Sequence, residues 1–289
     1  MKISDAISLG TKILSATELN PREIESDIRF MLACLLKPSS SSVGSPVSGD
    51  RKELTPEQEK TFNIWIERRL TLEPVQYITG ETEFWSLPFY VGQGVLVPRQ
   101  DTETLVSEIK DHFSDDKKRY RFLDMCCGTG CVGISLLTIF PNSTVVFVDK
   151  YSTPIKYTQK NLARLELTHR AAVITSDMFS SIPNEMLNSF DAIAANPPYI
   201  PDSELKGLPM QITLFEPTEA LRAGANGLMF HNILASEAQK FLKPSAPLFV
   251  EIGYNQGQDV SALFRQHGWS STQIVKDMAD NPRVLIAKP

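Results

Sequence analysis

Arg121-Phe122-Leu123-Asp124-Met125-Cys126-Cys127-Gly128-Thr129-Gly130-Cys131 is the stretch on which the reading of the fold turns. A short apolar run closes on Asp124 and Met125, a turn with two glycines follows, and Val132 to Phe140 then continues as a helical pattern. The alternation repeats outward. Thr144 to Asp149 is strand-like, Pro154 to Leu165 helical, Ala171 to Thr175 strand-like and Phe190 to Ala195 strand-like. A helix from about Gly227 to Leu242, a strand at Pro247 to Glu251, a helix from about Gly257 to His267 and strands at Gln273 to Lys276 and Val284 to Ala287 complete the series. Such alternation predicts an α/β class with a mostly parallel sheet flanked by helices, and it places ligands at the carboxyl ends of the strands.

Four of those ends carry chemistry. Gly128 and Gly130 permit close approach of backbone to a ligand at a helix start, although a glycine turn is also a structural need of many α/β proteins. Val145-Val146-Phe147-Val148-Asp149 sets a carboxylate about twenty positions beyond the glycines, where it can hold the ribose hydroxyls of an adenosine-containing cofactor. A dinucleotide would satisfy both features equally. Ser176-Asp177-Met178 ends the next strand and would border the adenine, or serve as a loop cap. The fourth end is Asn196-Pro197-Pro198-Tyr199, a stiff wall of acceptors beside an aromatic face. The Asn196 carbonyl and the Pro197 backbone carbonyl can take the two N–H hydrogens of a planar amide or amino group while the Tyr199 ring packs on it. An Asn-Pro pair also starts ordinary surface turns.

The glycine spacing is too sparse for a pyrophosphate, since cysteines stand at 126 and 127, whereas S-adenosylmethionine carries no phosphate and needs less. None of His112, His169, His231 and His267 falls in these motifs, which argues against a Ser-His hydrolase. Methyl transfer to nitrogen is the expected chemistry. Cys126, Cys127 and Cys131 lack a partner set at zinc-ligand spacing, so no metal is expected. At 289 residues, 42% hydrophobic, with a net charge of −5, the chain has room for one large and one small domain and little electrostatic bias toward phosphate backbones. Met1-Lys2-Ile3-Ser4-Asp5 does not begin a signal peptide and no stretch approaches a membrane span, so a cytoplasmic location is expected.

The first part of the chain is helical in pattern. Asn20, Pro21 and Glu23 read as a cap before Ile24, Ile28, Met31, Leu32 and Leu35; Thr55-Pro56-Glu57-Gln58 repeats the signal before Phe62, Trp65, Ile66 and Leu70. Between them Pro38 to Asp50 holds six serines, two glycines and two prolines, a loop composition. Phe84-Trp85, Phe89-Tyr90-Val91 and Val95-Leu96-Val97, with Pro88 and the turn Gly92-Gln93-Gly94 between them, predict a connecting hairpin. The expected division is 1–73 helical and substrate-recognising, 74–100 the connecting hairpin, and 101–289 the cofactor domain.

Beyond these local readings the chain resembles the HemK/PrmC protein-(glutamine-N5) methyltransferases of peptide chain release factors. The matches are Pro74-Val75-Gln76-Tyr77-Ile78-Thr79-Gly80, Phe84, Val95-Leu96-Val97-Pro98-Arg99-Gln100-Asp101-Thr102-Glu103, Asp124 to Gly130, Asn196 to Ile200, Phe215-Glu216-Pro217 with Ala220-Leu221 and Gly227-Leu228, Glu251-Ile252-Gly253 with Gln256-Gly257, and Asp280-Asn281-Pro282-Arg283-Val284. The resemblance implies a seven-stranded methyltransferase sheet whose last strand pair is antiparallel, a small N-terminal helical lobe and a connecting hairpin. It implies S-adenosylmethionine as cofactor, held by Cys126, Cys127, Gly128, Thr129, Gly130, Asp149, Met178 and Asn196. Asn196, Pro197, Pro198 and Tyr199 would bind the acceptor, with Asn196, Pro197 and Tyr199 catalytic. Class 1 release factors, modified at the glutamine of their Gly-Gly-Gln motif, are the implied partners, with no nucleic acid or membrane. Cys126 and Cys127 depart from the family's Gly-Thr or Gly-Ser, and Met178 stands where an aromatic is common. Arg99 and Glu103 either brace the wall or form an ion pair at a helix start. A ribosomal-protein glutamine, an exocyclic amino group of RNA or DNA, and a non-enzymatic cofactor module are the rival readings.

Overall fold

The computed structural model describes residues 1–37 and 53–289, so the serine-rich stretch expected to be a loop lies outside the described residues. Two compact units divide the chain: Met1–Gln93 with Pro209–Glu216, and Gly94–Leu208 with Pro217–Pro289.

The first unit is built on α1 (Ile3–Leu14), α2 (Pro21–Leu36), α3 (Pro56–Leu70) and the single-turn α4 (Val75–Thr79). Caps start the helices where the sequence places them. Asn20 Oδ1 accepts from the Glu23 backbone N–H at 2.9 Å, but Glu23 answers through its side chain, taking Asn20 Nδ2 at 3.2 Å, so the reciprocal box is only half made. Thr55 and Gln58 complete theirs, at 3.2 and 2.9 Å. Ile24, Ile28, Met31 and Leu32 pack with Phe62 and Ile66 in one apolar core. Leu70, expected on that face, is 38% exposed, and Arg69 is buried in its place at 1%. The guanidinium goes inward because partners await it: Asp27 at 2.7 Å, Glu23 at 3.1 Å, and Gln211 at 3.1 Å from the short helix Met210–Phe215, eighth along the chain and labelled α8.

The hairpin is real but turns elsewhere than expected. Strands β1 (Glu81–Phe84) and β2 (Leu87–Tyr90) pair antiparallel, with Pro88 inside β2 opposite Glu83. Its two-residue turn is Trp85-Ser86, both at positive φ (52° and 57°), a primed-turn geometry normally signalled by Asn or Gly. Val95 and Val97 are buried but belong to no strand.

The second unit holds a seven-stranded sheet of β3 (Arg121–Met125), β4 (Thr144–Asp149), β5 (Ala171–Thr175), β6 (Ala192–Ala195), β7 (Leu248–Glu251), β8 (Ser271–Lys276) and β9 (Pro282–Lys288). Strand order is β5-β4-β3-β6-β7-β9-β8. The first five run parallel, and β9 is antiparallel to both neighbours. Helices α5 (Glu103–His112), α6 (Cys131–Ile139), α7 (Ser152–Arg164), α9 (Met229–Glu237) and α10 (Gly257–Gln266) complete the unit. Phe190, expected in a strand, forms only an isolated bridge to Leu242 before β6 begins. The order steps outward from β3 to β4 and β5, then reverses to β6 and β7, so the topological switch point lies between β3 and β6, where this fold class binds ligands.

Candidate active site

Register alone assembles the site. Met125 pairs with Val148 on one side and Ala195 on the other, and Ala195 pairs with Val250. The next residue of each strand therefore emerges at the same edge, giving a row Asp149, Cys126, Asn196, Glu251, with neighbouring strands ~4.8 Å apart. Four segments distant in sequence meet because the parallel ladder leaves them no other register.

Around the first half of that row lies a cavity of about 650 Å³, bordered by Cys126, Cys127, Gly128, Thr129, Asp149, Met178, Asn196 and Pro198. Pro197, Tyr199 and Gly130 are not part of its lining. The loop after β3 is fixed from behind: Cys127 N–H donates to the Val148 carbonyl at 3.0 Å, Thr158 Oγ1 donates to the Gly128 carbonyl at 2.9 Å, and Asn161 Nδ2 to the Thr129 carbonyl at 2.9 Å. Gly130, at φ 80°, begins α6 with its α-carbon against Thr158, where a Cβ would sit 3.0 Å from Cγ2. That glycine serves the close packing of loop on helix. Asp124, buried below, accepts from the Gly133 N–H at 2.8 Å, and burial pushes its carboxyl up to about 7.

Asp149 turns both oxygens to the backbone, Oδ2 accepting from Gly128 N–H at 3.0 Å and Oδ1 from Tyr151 N–H at 3.1 Å. Each oxygen keeps lone-pair capacity for a hydroxyl donor. Burial raises its proton affinity, while those N–H groups oppose the rise. The cavity's size and this paired acceptor fit a nucleoside with a vicinal diol. Cys126 takes φ 60° without being glycine, and its thiol lies 3.7 Å from the Met178 sulfur, so the two departures from the family pattern touch each other. Burial holds the Cys126 and Cys127 thiols well above the ordinary range, which makes them inert lining and not nucleophiles. Asp177 is engaged by Lys150 at 2.7 Å, and Ser176 caps its loop, donating to the Met178 carbonyl at 2.8 Å.

On the other half of the row, Asn196 Nδ2 donates to Thr102 Oγ1 at 3.0 Å. One of the two amide hydrogens is thereby used, and Oδ1 keeps its capacity to accept from an incoming N–H. Tyr199 is held at two points: its hydroxyl donates to Glu251 Oε1 at 3.2 Å, and its carbonyl accepts from Gln256 Nε2 at 2.8 Å. Gly227 permits the close pass, since a Cβ there would stand 2.5 Å from the Tyr199 carbonyl oxygen. Arg99 borders the cavity, and Thr102, in the same segment, bonds to the wall at Asn196. Thr102, Glu251 and Gln256 are braces that the residue-level reading did not assign. Only their place in shared motifs could have flagged them.

Family profiles match the chain as a Methyltransferase small domain over residues 99–245 and a PrmC N-terminal domain over residues 5–80. The release factor glutamine methyltransferase of Thermodesulfovibrio yellowstonii is 35% identical over 82% of this chain and 84% of its own. That of Clostridium botulinum is 30% identical over 100% of this chain and 99% of its own. Among solved structures, the hMettl16 catalytic domain in complex with MAT2A 3'UTR hairpin 6 superposes with a TM-score of 0.56 at 14% identity, covering 79% of this chain and 81% of that one, which bears on the fold alone. The matches run through both units and through all four strand ends of the site, and the chain belongs to the release factor glutamine methyltransferase family.

Proposed function

We propose that the protein transfers a methyl group from S-adenosylmethionine to the side-chain amide nitrogen of the glutamine in the Gly-Gly-Gln motif of class 1 peptide chain release factors. The observation that supports this reading is Asn196 at the border of a nucleoside-sized cavity with its Nδ2 bonded to Thr102, so that Oδ1 can accept from a substrate N–H. In this reading Asp149 holds the ribose hydroxyls, the loop Cys126 to Gly130 and Met178 enclose the nucleoside, and Asn196 borders both ligands. S-adenosylmethionine, when bound, supplies an activated methyl group on a positively charged sulfur.

An amide nitrogen is a poor nucleophile because its lone pair is delocalised into the carbonyl. Asn196 Oδ1 and the Pro197 backbone carbonyl take its two hydrogens, and proline's fixed φ keeps the second acceptor in place. The nitrogen is so oriented toward the methyl donor, and Tyr199 closes the slot on the flat carboxamide. Its proton leaves to water once the bond has formed. Residues 1–73 recognise the release factor, 74–100 connect, and 101–289 carry the chemistry. Incubation of a purified release factor with enzyme and cofactor, followed by peptide mass spectrometry, should place one methyl on that glutamine. Asn196→Ala should lower turnover at least ~10²-fold, the scale for one preorganised polar contact. A methyl found on RNA, or on a Glu variant of the acceptor as readily as on glutamine, would overturn the assignment.

A further inference from the structure

Glu251 is the last residue of β7 and is 1% exposed. Oε1 accepts from the Tyr199 hydroxyl at 3.2 Å, and Oε2 has no hydrogen-bond partner of full geometry among the described residues. Burial opposes its charge most; the Thr102 hydroxyl, the Arg283 guanidinium and the Tyr199 hydroxyl favour it, and Asp101 opposes it. Arg283 itself is divided between Asp277 at 3.1 Å and Asp101 at 3.2 Å. From the other elements come the Cys131 thiol, pushed up to about 12, and His231, whose Nε2 lies 3.1 Å from the Glu251 carbonyl and whose imidazole is pushed down to about 4 and stays neutral. A carboxylate so placed is costly to keep charged, and a glutamine could accept the same Tyr199 hydrogen bond.

What glutamine lacks is a fixed direction. Hydroxyls and amides can each be turned to give or to take a hydrogen bond, whereas an ionised carboxylate only accepts. With Glu251 charged, Tyr199 and Thr102 can only donate toward it. The Thr102 oxygen then keeps its lone pair for Asn196 Nδ2, and Asn196 Oδ1 remains the atom that accepts from a substrate N–H.

We propose that Glu251 is a positioning residue for methyl transfer: as an acceptor-only group behind Thr102 and Tyr199, it sets the polarity of the wall so that Asn196 shows its carbonyl oxygen, not its NH2, to the acceptor amide. The proposal rests on the methyl-transfer reading given above. Burial is the chief cause that pushes the carboxyl up to about 7, so Glu251 is charged above that pH and protonated below it. A protonated Glu251 can donate to Thr102, and the enforced direction is lost.

The test is kcat against pH across the neutral range, with a purified release factor and saturating S-adenosylmethionine. Wild-type kcat should fall as pH drops through about 7. Glu251→Gln should lose about tenfold in kcat at alkaline pH, the low end for a hydrogen bond to a charged group, and should lack the acid limb. Its S-adenosylmethionine affinity should stay within about twofold by calorimetry, because Glu251 is not among the residues that line the cavity. Thr102→Val, which breaks the path to Asn196 without touching Tyr199, should reproduce the kcat loss, and it decides the matter if Glu251→Gln fails to melt cooperatively. Wild-type kcat and pH profile in these variants, or a loss of cofactor affinity that matches the loss of kcat, would overturn the proposal. If the wild-type enzyme modifies no release factor at any pH, the acceptor assignment fails instead. The carbon-13 resonance of the Glu251 carboxyl then remains as readout: it should titrate near 7 and move in Thr102→Val, and a titration near an ordinary carboxylate value would refute the network itself.

Discussion

Asp149 carries more of the cofactor reading than the glycines near it, because its two oxygens are oriented by backbone N–H groups and cannot swing away. Asp149→Ala should weaken S-adenosylmethionine binding by about 1.5–3 kcal/mol, the range for hydrogen bonds to a charged group, with the fold intact. Calorimetry on a variant with a native melting curve checks this, and unchanged affinity would remove the ribose role. Asp149 and Asn196 were legible in sequence because each ends a recognisable apolar run at the strand edge where this fold class binds ligands. Thr102 and Glu251 were not, since nothing local marks a threonine at a helix start or an acid closing a strand as a brace. Their role exists only once β6 and β7 pair in register and α5 brings its N-terminus to the wall. Cys126 was legible as a departure but its consequence was not: a cysteine at φ 60° becomes intelligible only with the Met178 sulfur 3.7 Å away.

Elements were readable where periodicity and caps agree and misread where a turn hides its chemistry. The Thr55 capping box and the apolar face of α2 follow from spacing alone. Trp85-Ser86 carries no glycine or asparagine to announce positive φ, so the only visible turn signal of this segment is Gly92-Gln93-Gly94, beyond the hairpin. Periodicity also could not distinguish Leu70 from Arg69 as the inward residue, because burial of an arginine depends on acids from another helix. One of them, Asp27, responds: burial raises its carboxyl above the ordinary range although Arg69 opposes the rise. Arg69→Ala should therefore cost the helical unit about 3–5 kcal/mol, since it strands a buried carboxylate, whereas Arg69→Met combined with Asp27→Leu should recover most of that loss. Urea melts of the full chain decide it. A single variant with wild-type stability would show that water reaches Asp27 and that the cluster is not a closed ion pair.

At the scale of the whole molecule, charge discriminates between kinds of acceptor that the wall cannot tell apart. A carboxamide and an exocyclic amino group both present N–H hydrogens on a planar frame, and Asn196 with Pro197 would take either. A nucleic acid acceptor would bring a run of phosphates, and gripping them releases counterions, so affinity falls steeply with salt. The chain has a net charge of −5, and Lys150 and Arg222, two of the cations at the cavity, are engaged with Asp177 at 2.7 Å and Asp202 at 2.8 Å. Those pairs leave little positive potential at the mouth to track a backbone. Raising salt from about 50 to about 200 mM should thus lower kcat/KM for a release factor by less than about tenfold, against the ~10³–10⁵ expected of a protein neutralising six to ten phosphates. The measurement is methyl incorporation at low acceptor concentration across that series, where kcat/KM is read directly. A decline by several powers of ten would show that the acceptor is held largely through charge, and would remove the argument by which charge disfavours a phosphate-bearing acceptor.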